Sequence, residues 1–109
     1  MKNLFNLTGK TALITGGGGL LGPKHAEAII EYGGKVILAD WHKDKVVENA
    51  NKLNEKYKQD VAVGEYVDVT NKESIQLLVD KYDKIDILIN NAAKDPKVED
   101  SKSMTPSSR

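Results

Sequence analysis

The residues of this chain best suited to chemistry form one run, Thr15-Gly16-Gly17-Gly18-Gly19-Leu20-Leu21-Gly22, followed by a solitary acid, Asp40, at the end of the next apolar stretch. Glycine has no Cβ, so it accepts positive φ and lets a ligand come up against the main chain. Four in succession suit a turn whose backbone does the binding. A helix that starts in such a turn aims unpaired N–H groups and the positive end of its dipole at whatever lies in front of it. The chemistry implied is capture of a phosphate or diphosphate. Gly17, Gly19 and Gly22 satisfy G-x-G-x-x-G, with the apolar run Thr11-Ala12-Leu13-Ile14 before them and a helical pattern after. Asp40 follows about 20 residues on, where a carboxylate can accept hydrogen bonds from both hydroxyls of a ribose. The plainer reading, a glycine-rich hairpin or linker, fits poorly with flanks this regular.

The elements that must position these groups follow from hydrophobic period. Lys10 to Thr15 reads as a first strand, apolar on both faces as buried parallel strands are. A helix from about Leu20 to Tyr32 carries Gly22, Ala26, Ile29 and Gly33 on one face, with Pro23 in its first turn and Gly33-Gly34 ending it. Lys35 to Asp40 is the second strand. Lys43 to Tyr57 is a helix with Val46, Ala50, Leu53 and Tyr57 on one face and a solvated face of Lys, Glu and Asn elsewhere. Val61 to Val67 is a third strand interrupted in character by Gly64. Thr70-Asn71-Lys72-Glu73 is a capping-box sequence opening a third helix with Ile75, Leu78, Val79 and Tyr82. Ile85 to Ile89 is a fourth strand ending at Asn90-Asn91-Ala92-Ala93.

The order βαβαβαβ predicts an α/β fold of Rossmann type, a doubly wound parallel sheet that stops after the fourth strand. Right-handed crossovers put the first two helices on one face. A reversal of strand order after the third strand puts the third helix on the other and opens a crevice between the first and fourth strands. The glycine turn, Asp40, Asp68 and Asn90 all fall at the carboxyl ends of strands, so four segments converge on one site. Leu4, Phe5 and Leu7 are expected to cover an end of the sheet. Residues 1–93 form the nucleotide-binding half-domain, and 94–109, polar and without period, read as a mobile loop or tail.

Composition narrows the alternatives. In 109 residues, 39% apolar and 29% charged, sixteen acids balance sixteen bases, which argues against a nucleic-acid footprint. With no cysteine there is no disulfide, thiolate metal site or cysteine nucleophile. His25 and His42 have no partner at metal spacing, so no metal site is expected. No apolar run approaches the roughly 20 residues that span a bilayer. The first ten residues lack a secretory core, which makes the cytoplasm the expected location.

A 2′-phosphate on the ribose would face Asp40 at close range, and neither the turn nor Trp41 supplies a cation. NAD is therefore expected over NADP, with His42 and Lys43 lying nearby. Trp41 either packs beside the adenine or is a plain packing residue. Asp68, followed by Val69, either bonds the adenine amine or fixes the turn before Thr70. Asn90 can offer its side chain and backbone to the fourth-strand loop or to a ribose.

Taken together, these residues resemble the short-chain dehydrogenases/reductases, from Leu7-Thr8-Gly9-Lys10-Thr11-Ala12-Leu13-Ile14-Thr15-Gly16 through Asp40 and Asp68-Val69 to Asn90-Asn91-Ala92-Ala93. Against the family's T-G-x-x-x-G-x-G, Thr15, Gly16 and Gly22 match while Leu20 stands at the middle glycine. The spacing also fits T-G-x-x-G-x-x-G through Gly19, and Ala93 replaces the final glycine of N-N-A-G. The resemblance implies that the Leu20 and Leu21 amides meet the pyrophosphate and Asp40 the adenosine ribose. It also implies Asp68 and Val69 at the adenine, and Asn90 with Ala92 near the nicotinamide ribose. It implies hydride transfer between NAD(P) and an alcohol or carbonyl, by a tyrosine with a lysine four residues later and a serine. No Y-x-x-x-K exists here: Val36, Val61, Thr70 and Asp86 stand where that lysine would be after Tyr32, Tyr57, Tyr66 and Tyr82. The chain thus resembles the amino-terminal half of such an enzyme, inactive alone. The fourth strand is then an exposed apolar edge, which predicts marginal stability or self-association. The competing readings are a stand-alone adenine-dinucleotide module and an interaction protein that uses that edge.

Overall fold

The computed structural model describes residues 6–19 and 21–91. Its elements are β1 (Thr11–Thr15), α1 (Leu21–Glu31), β2 (Lys35–Asp40), α2 (Lys43–Tyr57), β3 (Ala62–Tyr66), α3 (Lys72–Lys81) and β4 (Ile87–Asn90). The sheet runs β3-β2-β1-β4 with every pair parallel, so strand order reverses between β1 and β4. Leu4 and Phe5 of the expected sheet cover, and the expected tail 94–109, lie outside the described residues. Leu7 does pack against the core.

Alternation along the strands sorts their side chains onto two faces. Ala12, Ile14, Val36 and Leu38 meet Ala26, Ile29 and Ile30 of α1 and Val46, Ala50 and Leu53 of α2. Leu13, Ile37, Ala39 and Val67 meet Leu78 of α3, with Ile75, Tyr82 and Ile85 alongside. One face therefore carries two helices and the other a single one, as the crossover rule requires.

Three local features differ from the sequence reading. Gly64 does not interrupt β3: it sits within the strand because a Cβ there would lie 2.6 Å from the backbone of Val46 and Val47, so α2 rests directly on it. The polar side of α2 is not wholly solvated. Asn54 accepts from Val61 and Ala62 N–H at 2.7 and 2.8 Å and donates to the Ala62 carbonyl at 2.9 Å, pinning the entry to β3. The cap of α3 is Asn71 rather than Thr70, its side chain accepting from Glu73 and Ser74 N–H. Thr70 is drawn away because its hydroxyl donates to Asp68 at 2.6 Å.

Among the described residues β4 forms one edge of the sheet, with Leu88 64% exposed. The opposite edge, β3, carries an acid indoors. Glu65 is only 7% exposed and receives Lys81 Nζ at 2.8 Å and the Tyr82 hydroxyl, both from the end of α3. Burial by itself would raise the Glu65 pKa, but the hydrogen bonds from Lys81 and Tyr82 and the charges of Lys81 and Lys43 outweigh it, and the net shift is downward. Burial and the neighbouring carboxylate push the Tyr82 phenol up.

A folded pKa below the unfolded one gives stabilisation that is complete above the ordinary glutamate value of 4.5 and is lost as pH falls through the lower folded value. Urea unfolding midpoints are accordingly expected to hold from pH 7 to about 5 and to fall below it. In Glu65→Gln the pH 7 midpoint drops and the acid-dependent decline becomes shallower. An equally steep decline in the variant would show that other groups govern acid sensitivity.

Candidate functional site

Register brings the strand ends to one rim. Thr15 pairs with Ala39 on one side and Asn90 on the other, and Asp40 pairs with Tyr66, so β1, β2, β3 and β4 all terminate at the same level. The chain leaves β1 through Gly16, whose φ of 73° only glycine adopts readily. Gly17 N–H then bonds the Ala39 carbonyl at 3.0 Å, and Gly19 N–H folds back on the Gly16 carbonyl at 3.2 Å.

The glycines divide by what surrounds them. A Cβ on Gly17 would lie 2.8 Å from the Leu38 side chain, and one on Gly22 would lie 2.7 Å from Gly17 itself. The first turn of α1 therefore presses on the glycine turn, which in turn presses on β2. Around Gly19, by contrast, a Cβ would meet only the Gly16 carbonyl at 3.6 Å among the described residues. Among those residues the space there is open and Gly19 is exposed. α1 has no acidic residue in its first turn, so its own side chains leave the positive end of the helix uncompensated. An open backbone turn at such an end is suited to an anionic group, and the residues present fit a diphosphate.

Asp40 is tied to this turn. Its Oδ2 accepts from Gly18 N–H at 3.0 Å and its Oδ1 from His42 N–H at 3.3 Å. The acid and the glycine run are thus in direct contact, and Asp40 is half-buried. Trp41 is 66% exposed and its ring packs against that of His42, centroids 3.8 Å apart and planes tilted by 38°.

Asp68 Oδ1 accepts from Thr70 N–H at 3.0 Å and from its hydroxyl, and these bonds hold its pKa down. Its own N–H donates to Ser74 Oγ at 2.9 Å. Of the two roles open to Asp68, the structure shows the turn-fixing one. Val69 beside it is exposed. An open groove of about 380 Å³ runs between β3 and α3, with Tyr66, Asp68, Asn71 and Ser74 among its walls.

On the far side of β1, Thr15 Oγ1 donates to Asn90 Oδ1 at 2.8 Å and Asn91 N–H donates to the Thr15 carbonyl at 3.1 Å. The Asn90 side chain is therefore oriented from β1. Gly16, Gly19, Leu21, Gly22, Asp40, Trp41, Asp68, Val69 and Asn90 all fall at the strand-end rim or in the segments that leave it. Leu20 and Ala92 lie outside the described residues.

Sequence reasoning missed Asn49. Its Nδ2 donates to the Gly17 carbonyl at 2.9 Å, so α2 fixes the glycine turn from behind. The signal was available: Asn49 stands three residues after Val46 and next to Ala50, on the stripe of α2 that faces the protein, where a polar residue needs a partner.

A family model described as short chain dehydrogenase matches residues 10–107. The "Short chain dehydrogenase/reductase dpfgG" of Gibberella zeae is 38% identical over 94 residues, which cover 83% of this chain and 34% of that protein. Among solved structures, the RhlG/NADP active-site complex of Pseudomonas aeruginosa aligns with a TM-score of 0.70 at 26% identity, over 84% of this chain and 37% of that one. A short chain dehydrogenase/reductase from Burkholderia phymatum in complex with NAD aligns with a TM-score of 0.67 at 30% identity, over 77% and 31%. The chain spans about a third of the length of the curated relatives it matches.

Glycine-to-alanine changes should separate these positions by stability alone. Gly17→Ala and Gly22→Ala place a methyl against neighbouring chain and are expected to cost about 1 to 3 kcal/mol each. Gly19→Ala is expected to stay within about 0.5 kcal/mol of the parent. Chemical denaturation of the three variants checks the ranking, and a Gly19 variant as damaged as the other two would contradict it.

Proposed function

We propose, for a chain that belongs to the short chain dehydrogenase family, that it is the nucleotide-binding part of an NAD-dependent oxidoreductase that moves hydride between NAD and an alcohol or carbonyl substrate. The observation that carries the reading is the bond from Gly18 N–H to Asp40 Oδ2 at 3.0 Å, which joins a phosphate-type turn and a ribose-type acid into a single site. That site lies where strand order reverses, the position at which open α/β sheets take their ligands.

In this reading the turn from Gly16 to Gly22, with the Leu20 and Leu21 amides, holds the pyrophosphate. Asp40 takes the adenosine ribose. Trp41, Asp68 and Val69 border the adenine, and Asn90 with Ala92 lies toward the nicotinamide ribose. Asp68 can serve there and in its turn together, since Thr70 occupies Oδ1 alone. The preference for NAD over NADP rests on the Asp40 carboxylate, which repels a 2′-phosphate and accepts from a free hydroxyl. Cofactor supplies the hydride chemistry; this chain supplies binding and orientation.

We further propose that the chain alone binds cofactor without turnover. None of its tyrosines has a lysine four residues later, and the Tyr57 and Tyr82 hydroxyls are bound to Glu31 and Glu65. Its exposed β4 edge is expected to drive self-association.

Trp41 is the only tryptophan of the sequence, so its fluorescence reports on the adenosine side of the site. Titration with NAD is expected to give a saturable change, weakened about tenfold or more in Asp40→Asn, where a charged acceptor becomes a neutral one. Failure of NAD to bind up to millimolar concentration would overturn the nucleotide reading. Leu88→Lys is expected to lower the concentration-dependent mass seen by sedimentation equilibrium. A parent chain that sediments as a monomer at all concentrations would remove the proposed role of the β4 edge.

A further inference from the structure

The peptide group between Gly17 and Gly18 is held at both ends by side chains from different elements. Its carbonyl accepts from Asn49 Nδ2 at 2.9 Å, and its N–H donates to Asp40 Oδ2 at 3.0 Å. A trans peptide carries its C=O and N–H on opposite sides of one rigid plane, so the two bonds together select a single orientation. α2 grips one end and the last residue of β2 the other. The adjoining N–H groups are committed to main chain, Gly17 to the Ala39 carbonyl and Gly19 to the Gly16 carbonyl. Among the described residues, then, this is the one peptide from Gly16 to Gly19 that side chains orient.

Glycine on both sides leaves the opposite orientation accessible. Turning this peptide over rotates ψ of Gly17 and φ of Gly18, and neither residue has a Cβ to resist. Turned over, it would aim the Gly17 carbonyl at the Asp40 carboxylate and withdraw the N–H that the acid accepts. Asn49 opposes that state by meeting the carbonyl of a buried residue with a donor. Gly18 in turn leaves the room the carboxylate occupies, since a Cβ there would stand 2.9 Å from Asp40 Oδ2.

We propose that Asn49 is a positioning residue for the Asp40 carboxylate, acting through the Gly17–Gly18 peptide. The inference rests on the nucleotide reading above and deepens it. There Asp40 takes the adenosine ribose, and Asn49 fixes the backbone donor that holds Oδ2 before the sugar arrives. A carboxylate oriented in the free chain loses less freedom on binding, so part of the affinity for cofactor originates on α2.

The test follows backbone amide exchange by NMR on the isotope-labelled full chain, and NAD binding through Trp41. Asn49→Ala is expected to speed exchange of the Gly18 amide about two- to tenfold, the net worth of one hydrogen bond. Amides of β1 and β2 should stay within about twofold of the parent, because the opening is local. Asn49→Leu keeps volume without the donor and should match Asn49→Ala, which separates the bond from packing. In Asp40→Ala the Gly18 amide has already lost its acceptor, so adding Asn49→Ala should change its exchange by less than about twofold. NAD affinity is expected to fall about two- to fivefold in Asn49→Ala and in Asn49→Leu. The inference falls, with the nucleotide reading intact, if NAD binds but Gly18 exchange ignores Asn49 or rises equally with β1 and β2. It falls likewise if Asn49→Leu behaves as the parent, if the effects of Asn49 and Asp40 on Gly18 exchange simply multiply, or if NAD affinity is unmoved. If the parent chain binds no NAD, both fall.

Discussion

The arrangement depends on how closely three pieces of backbone can approach one another at the end of β1. Gly22 at the start of α1 lies against Gly17, and Gly17 lies against Leu38 and Ala39 of β2. Between Gly22 and Gly17 the contact is main chain on both sides, and against β2 it involves the Leu38 Cβ and the backbone of Leu38 and Ala39, so the helix end is held at the strand ends by atoms that no rotamer moves. The geometry is therefore insensitive to rotamer choice and sensitive to a single methyl group. Around this contact, the Gly17 N–H bond to Ala39, the Gly18 N–H bond to Asp40 and the Asn49 bond to the Gly17 carbonyl fix which way the peptide groups of the turn face. A backbone site of this kind needs its amides oriented before ligand arrives, and β2 and α2 do that orienting.

Much of this was legible in the chain because the period of its apolar residues is unambiguous. The strands β1 and β2 are continuous apolar runs and α2 keeps a regular stripe, so element type and order followed, and with them the switch point and the grouping of Gly16, Asp40, Asp68 and Asn90. What escaped was decided by competition between side chains. Thr70 and Asn71 are both acceptable caps, and the choice fell to Asn71 because Asp68 captured the threonine hydroxyl. Gly64 looked like a defect in a strand when its meaning lay in another element, the backbone of α2. Asn49 and Asn54 read as solvated helix residues, yet both reach main chain outside the helix.

The charges teach the same lesson. Glu65 stands in a strand where an alternating pattern would suggest solvent, and only the arrival of Lys81 and Tyr82 from α3 makes its burial tolerable. Near Asp40, distance along the chain points to His42 and Lys43, whereas the first turn of α2 sets the Lys45 Cβ beside Gly18. Sequence neighbours of a strand end diverge in direction as soon as the chain enters a helix.

The uneven anchoring of the helices carries a consequence for motion. Gly22, Ala26, Ile29 and Ile30 are buried from α1 and Val46, Ala50 and Leu53 from α2, whereas α3 sinks only Leu78 completely. A helix with so little apolar area withheld from water detaches at lower free energy than its neighbours, as a local opening that leaves the rest of the sheet intact. Its amides should therefore exchange with solvent ahead of those in α1 and α2. Ser74 ties the Asp68 N–H to α3, so each such opening also releases one wall of the rim. A ligand seated against that wall would draw the breathing segment closed by mass action, and would be felt as ordering some distance from the glycine turn.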